Sequence, residues 1–157
     1  MATLSSCGGN QEKREYSVPD TVCGTSIDSQ TLTPFLPPGK KLTTEAKKFS
    51  PNVEKCRVVV DGKLAAITSQ EWWNRISILE FAGGLTLENP DHQTDDGKYA
   101  YSGNQAFGRI DGCHNRDYPG KTLYTAIQAN KSGYKDASAM KRLIVNYTHA
   151  VAKQRCT

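Results

Sequence analysis

The five cysteines are the residues whose chemistry depends most on spacing, and the chain keeps them far apart. A zinc ribbon or a dithiol redox site uses cysteines separated by two residues, and no pair here has that spacing. An odd count fits one modified thiol and two disulfides, for which four cysteines allow three connectivities. We favour the sequential pairing, Cys23–Cys56 with Cys113–Cys156. The alternative is a set of reduced, buried cysteines in a cytosolic protein.

The remaining cysteine ends a stretch with the shape of a bacterial lipobox. Leu4 is followed by two serines and then by Cys7, which gives an aliphatic residue, two small residues and a cysteine. A lipoprotein signal peptidase cuts before a cysteine whose thiol already carries a diacylglyceryl group. We therefore predict that Cys7 is the lipid attachment site and the first residue of the mature protein. The alternative is an ordinary polar terminus with a stray cysteine.

Only residues 1–3 precede this stretch, so the basic n-region and the apolar h-region of about 7–15 residues that a secretory signal needs are missing. We expect either a truncated start or a start codon placed too late. Residues 8–18 are polar and balanced in charge, which predicts a flexible tether. No apolar run reaches the roughly 18–20 residues that span a bilayer, so the expected membrane attachment is through the lipid.

The length of 157 residues supports one domain with a substantial core. We predict that residues 1–18 form a lipobox remnant with its tether and that residues 19–157 form a single extracytoplasmic domain. The formal net charge is +4, and the sequence has no Lys/Arg cluster interleaved with aromatic residues. No nucleic-acid partner is therefore expected.

The strongest local pattern predicts a β-hairpin. Cys56–Val60 is rich in β-branched residues, and Leu64–Thr68 returns after Asp61-Gly62, a dipeptide favoured in two-residue turns that need positive φ at both positions. A C-terminal helix is predicted by an N-cap at Asp136 and by an apolar stripe at helical spacing. The stripe consists of Met140, Leu143, Ile144, Tyr147 and Val151.

Other segments complete the predicted fold. A short helix capped by Asp28 begins the domain, and residues 40–52 predict a polar loop. A middle helix is expected over residues 73–82, with a strand continued through Trp72 and Trp73 as the alternative. Residues 98–130 predict strands on both sides of a loop.

The expected architecture is therefore an α+β domain. Its antiparallel sheet has about four or five strands, packed by the C-terminal helix and the middle helix, with two disulfides.

Two groups of residues are candidates for ligand binding. Trp72 and Trp73 offer ring faces on which sugars or aromatic ligands can stack, although one ring in the core and the other at its rim is the plainer interpretation. The loop of residues 111–121 contains His114, Arg116 and Tyr118 and is the most chemically varied stretch in the chain.

Catalytic, metal and cofactor chemistry are not expected. Cys113 and His114 are adjacent, but neighbours in extended backbone point to opposite sides, and a disulfide would consume the thiol. The acidic residues 87–97 lack the ligand spacing of an EF-hand. Neither Gly-x-Ser-x-Gly nor His-Glu-x-x-His occurs.

Distinctive short segments run through most of the chain, residues 17–152. They are Pro19–Thr25, Leu36–Gly39, Cys56–Gly62, Tyr101–Asn104, Ala106–Gly108 and Leu123–Ala126. Together they resemble small secreted lipoproteins of streptomycetes and other actinobacteria, a group of unknown function. The resemblance implies a cell-envelope location and an α+β fold, and it brings no catalytic residues.

The function expected from these observations is that of a non-catalytic cell-envelope lipoprotein, a binding or accessory module. Its partner would be another envelope protein, a glycan fragment or a small ligand. One alternative is an inhibitor or immunity-type protein that binds an enzyme through loop 111–121. Another is a secreted hydrolase, which would need a nucleophile beside a base in a pocket. The sequence leaves the oligomeric state open.

Overall fold

The structure is a computed structural model that describes residues 13–129 and 131–157. The predicted lipid attachment site, Cys7, lies outside the described residues. The fold is α+β, as predicted, and it is built on a seven-stranded antiparallel sheet with the order β3-β4-β5-β9-β8-β7-β6. The elements are β1 (Thr21–Val22), β2 (Thr25–Ser26), α1 (Ser29–Leu32) with a 3-10 turn (Thr33–Phe35), β3 (Leu42–Ser50), β4 (Val53–Val60), β5 (Lys63–Trp73), α2 (Ile78–Gly83), β6 (His92–Gln93), β7 (Tyr99–Tyr101), β8 (Gln105–Ile110), β9 (Thr122–Gln128) and α3 (Ala137–Arg155).

The predicted hairpin is formed by β4 and β5. Its turn has positive φ at both central positions, 51° at Asp61 and 79° at Gly62, as the sequence required. β5 then continues to Trp73 and pairs with β9 along its second half. The predicted helix over residues 73–82 is therefore wrong at its start, and the alternative of a strand through both tryptophans is confirmed.

The prediction of four or five strands is also wrong, because the sheet has seven. Residues 40–52 were expected to form a polar loop, but Leu42–Ser50 is the edge strand β3. Both faces of this strand are exposed along most of its length, so its sequence shows no alternation of apolar and polar residues. The two-residue strand β6 at the opposite edge is too short to leave a sequence pattern.

The two helices that pack on the sheet lie on opposite faces. α3 covers the face that carries Ala106, Leu123 and Ile127, and its apolar stripe forms the main core there. The shorter α2 covers only part of the other face, where Phe81 stacks on Tyr124. We call these the α3 face and the α2 face.

Two disulfides tie loops to this framework, as predicted. Cys23–Cys56 joins the β1–β2 turn to β4, with Cα atoms 5.8 Å apart. Cys113–Cys156 joins the loop after β8 to the end of α3, with Cα atoms 4.9 Å apart. Disulfides of this kind are typical of proteins outside the cytoplasm.

The N-terminal part of the described chain is packed on the domain. The guanidinium of Arg14 donates to the carbonyl of Leu36 at 2.8 Å, and the Tyr16 hydroxyl donates to the carbonyl of Pro37. The packed region therefore begins before Pro19, within the segment that was expected to be a flexible tether. Among the described residues, no helix combines the length and the apolar character needed to cross a bilayer.

Candidate ligand-binding surfaces

The loop of residues 111–121 is fixed by contacts with two parts of the fold, the end of α3 and the β3–β4 turn. Besides the Cys113–Cys156 disulfide, the Asn115 amide donates to the carbonyl of Arg155 at 2.7 Å, at the end of α3. The Tyr118 hydroxyl donates to the carbonyl of Pro51 at 2.7 Å, in the β3–β4 turn. These cross-links hold the loop in one conformation, because opening it would break contacts with several elements at once.

The start of this loop is held by an ion-pair cluster. Asp111 accepts from Arg109 at 3.0 Å and from Arg75 at 2.6 Å. Partial burial would raise the pKa of the Asp111 carboxyl, but hydrogen bonds and charge from the two arginines outweigh it and hold that pKa below its ordinary value. Asp111 is therefore ionised at neutral pH and keeps both arginines in place.

The braced loop encloses a surface concavity of about 590 Å³, which lies within the range of about 300–1,000 Å³ typical of ligand sites. The lining residues include His114, Arg116, Tyr118 and Lys121. The described lining contains no Asp or Glu side chain, and Arg116 and Lys121 contribute positive charge to it. Three of the sequence-predicted binding residues are thus brought together in a site suited to an acidic group.

The two tryptophans are not brought together, because adjacent residues of β5 point to opposite faces. Trp72 lies in the core of the α3 face and is only 2% exposed. Its ring stacks on Tyr118 with centroids 4.7 Å apart, which supports the loop from below. Trp73 lies on the α2 face and is 40% exposed. Of the pair, only Trp73 is open to a ligand.

Trp73 borders a second site, the sheet groove, which we define by Lys55, Ser69, Glu71 and Trp73 on the part of the α2 face that α2 leaves uncovered. The Trp73 indole N–H donates to Glu71 Oε1 at 3.0 Å. Lys55 Nζ lies 3.9 Å from Glu71 Oε2. Cavities of about 310 and 410 Å³ lie along this groove, and both are bounded by Gly84-Leu85 at the end of α2.

The groove contains polar atoms without partners. Ser69 and Glu71 are 1% and 4% exposed. Within the described part of the chain, neither the Ser69 hydroxyl nor Glu71 Oε2 forms a hydrogen bond. A buried polar group without a partner costs about 1–3 kcal/mol, so these atoms mark a place where a further group would be stabilising.

Sequence reasoning did not find this groove. Ser69, Glu71 and Trp73 alternate along β5, and that alternation was the available signal. It was missed because the expected helix began at Trp73, which placed Glu71 in a connecting segment.

The other two histidines line neither the loop concavity nor the groove cavities. His92 stacks on Tyr101 at the sheet edge, and His149 is exposed on α3. Among residues 13–129 and 131–157, no group of three or more His, Cys, Asp or Glu side chains is arranged to hold a metal ion.

The fold and these surfaces define a class of protein: an α+β domain braced by two disulfides, with concavities beside loop 111–121 and along the α2 face. Comparison with protein-family models, with curated proteins and with solved structures gave no match to this chain. The resemblance to actinobacterial lipoproteins therefore stays a prediction, and the function must be argued from the site.

Proposed function

We propose that this protein is a non-catalytic binding module of the cell envelope, anchored through lipid on Cys7, and that it binds an acidic partner at loop 111–121. The observation that carries the proposal is the fixed, basic concavity formed by this loop. Pre-organised sites bind well because little conformational entropy is lost on association.

The two disulfides support the extracytoplasmic location. Disulfides persist in oxidising compartments, whereas thiols in the cytosol are kept reduced. A lipid anchor and a folded domain that begins near Arg14 would place the binding loop close to the envelope surface.

Arg116 and Lys121 supply the positive charge of the loop concavity. Arg116 is exposed, and its planar guanidinium can form two parallel hydrogen bonds with a carboxylate or phosphate. Lys121 Nζ donates to the Asn74 side chain at 2.8 Å, which holds its positive charge at the rim. An acidic segment of an envelope protein would meet both charges.

The binding test uses charge reversal at the loop. The variant Arg116→Glu/Lys121→Glu and the matched variant Lys40→Glu/Lys41→Glu carry the same change in net charge. Each is used to capture proteins from envelope extracts, and a hexaglutamate peptide is titrated into each by NMR. We expect the peptide shifts at loop 111–121 and the captured acidic protein to be lost in the first variant and kept in the second. Equal binding by both variants would refute the loop as the site.

The anchor is tested separately, with a complete lipoprotein leader placed ahead of Leu4. The chain with Cys7 is expected to incorporate labelled palmitate and to sediment with membranes, whereas Cys7→Ser should do neither. Equal labelling of the two chains would exclude this cysteine as the attachment site.

The rigidity of loop 111–121 also supports a second candidate function. A loop held by a disulfide and by hydrogen bonds to α3 and the β3–β4 turn has the form in which enzyme inhibitors present a binding segment. If the captured partner is an enzyme whose activity falls on binding, the module acts as an inhibitor or immunity-type protein.

A further inference from the structure

We propose that the sheet groove is a second binding site and that it takes a neutral saccharide. The site shares no lining residue with the loop concavity and does not depend on the function proposed for that loop. The groove combines charges of both signs, a buried carboxylate oxygen without a hydrogen-bond partner and an exposed indole beside it.

The charges in the groove favour a neutral ligand. Lys55 and Glu71 have side chains that are 19% and 5% exposed, so both charges are largely removed from water. Their Nζ and Oε2 atoms are 3.9 Å apart, which is longer than a hydrogen bond. Glu80 lines the same cavity as Glu71, and Lys131 lines the same cavity as Lys55, so the two cavities together carry two charges of each sign. A cation that follows the groove would be repelled at the lysines and an anion at the glutamates, and burying either would leave an uncompensated charge.

A hydroxyl is the group that satisfies both atoms together. An ionised carboxylate only accepts hydrogen bonds and an ammonium only donates them, whereas a hydroxyl does both. One ligand hydroxyl can therefore donate to Glu71 Oε2 and accept from Lys55 Nζ. Ser69 lies directly opposite Lys55 in the β4–β5 ladder, but its unpartnered hydroxyl is buried and lines neither cavity, so it is assigned no ligand contact. Hydroxyls on a ring that also has apolar C–H faces are the defining feature of a sugar.

The aromatic side chain completes the site. Trp73 is 40% exposed, and its hydrogen bond to Glu71 fixes the indole beside the carboxylate. A fixed, partly exposed ring provides an apolar surface at little cost in side-chain entropy, and the C–H face of a sugar ring can pack on it. The adjoining cavity of about 310 Å³ is also lined by Ile76 and Phe81, so one side of the ligand meets apolar atoms.

The two cavities indicate a ligand longer than one ring. The cavity of about 310 Å³ contains Glu71 and Trp73, and that of about 410 Å³ contains Lys55 and Gln128. Because Gly84-Leu85 borders both, a ligand that follows the groove would pass this segment. We therefore expect a short oligosaccharide to bind more tightly than its monosaccharide.

The test is an NMR titration of the full chain with cellotetraose, chitotetraose and maltotetraose, and with glucose for comparison. The chain has two tryptophans, and their indole N–H signals report on opposite faces of the sheet. We expect the Trp73 signal, assigned with Trp73→Phe, to shift on saturation while the Trp72 signal stays in place. No shift of the Trp73 signal with any of these sugars at 20 mM would overturn the proposal.

Single-residue variants measure the contribution of each side chain to saccharide binding. Trp73→Ala and Glu71→Gln are each expected to raise the dissociation constant at least tenfold, whereas Leu79→Ala, an exposed α2 residue outside the groove, should leave it unchanged. Trp73→Phe keeps an aromatic ring and should lose less affinity than Trp73→Ala. This comparison tests whether misfolding causes the loss of affinity. Tighter binding of glucosamine or glucuronate than of glucose would overturn the proposal that the ligand is neutral. Equal affinity of wild type and Trp73→Ala would overturn the site.

Discussion

Asp61 shows how one residue can fix both a turn and a neighbouring segment. Its backbone has φ of 51°, a conformation that Asp and Asn tolerate better than other non-glycine residues. Its carboxylate accepts from the backbone N–H of Lys40 at 3.1 Å and of Lys41 at 2.9 Å. The side chain therefore connects the β4–β5 turn to the entry of β3.

We expect Asp61→Ala to destabilise the protein by about 1–2 kcal/mol, because it removes two hydrogen bonds to a carboxylate and introduces a residue that disfavours positive φ. Asp61→Asn keeps an acceptor and the backbone preference and should cost less than half as much. Urea unfolding of the oxidised protein measures both values. Equal stability of the Ala and Asn variants would show that the side chain is not a significant contributor.

The same residue illustrates what sequence reasoning could establish at this scale. Asp61-Gly62 predicts its turn because few dipeptides accept positive φ at both positions. In contrast, the role of Glu71 depends on Lys55 and Trp73, which reach it through strand pairing and side-chain orientation. The alternation of Glu71 and Trp73 along β5 is a local signal, but the contact of Lys55 with Glu71 joins two strands and could not be found without the register of the sheet.

At the scale of elements, the packing of α3 on the sheet depends on a close approach at Gly108 in β8. A Cβ atom there would lie 2.5 Å from Thr125 Oγ1 and 2.7 Å from Thr148 Oγ1. These hydroxyls form a buried hydrogen bond of 2.7 Å that joins β9 to α3. The absence of a side chain at Gly108 lets the helix lie close enough for this bond to form.

Gly108→Ala is expected to destabilise the protein by about 1–3 kcal/mol, because the methyl group must displace the helix or the hydroxyls. Gly83→Ala is the matched control, since a Cβ there meets nothing within 4 Å. In a double-mutant cycle, Gly108→Ala with Thr148→Ala should cost less than the sum of the single changes. Additive effects in guanidinium unfolding would place the cause outside this contact.

Helices and strands could be predicted where burial of one face leaves a pattern of apolar residues in the sequence. The stripe on α3 and the β-branched run of β4 reflect faces packed in the core. The edge strand β3 packs against no helix, and its lysines are typical of strands that resist pairing with other chains. Its strand conformation is imposed by pairing with β4, so the segment itself gave no indication of it.

At the scale of the whole molecule, the two disulfides constrain different regions. Cys23–Cys56 spans 33 residues and holds the N-terminal segment on β4. Cys113–Cys156 spans 43 residues and holds loop 111–121 on α3. Each would stabilise the fold by about 4 kcal/mol in the chain-entropy model, but their local effects should differ.

Double serine variants test whether the two disulfides constrain different regions. Cys113→Ser/Cys156→Ser should speed amide hydrogen exchange in loop 111–121, whereas Cys23→Ser/Cys56→Ser should leave that loop protected and lower global stability. Exchange measured by mass spectrometry distinguishes the two results. Faster exchange of the loop in both variants would show that its rigidity comes from the fold as a whole. The intact mass of the wild-type chain should rise by two hydrogens per bridge on reduction.

The pairing of β5 with β9 has a consequence for how the chain reaches its native state. On either side of this pair, each strand of the sheet is adjacent to its neighbour in sequence, so both arms can assemble from short-range contacts. Joining the arms closes a much longer loop, and the entropy of that closure must be lost before the new contacts compensate for it. We expect the arms to form early and independently, with amides of the β5–β9 ladder the last to gain protection during refolding.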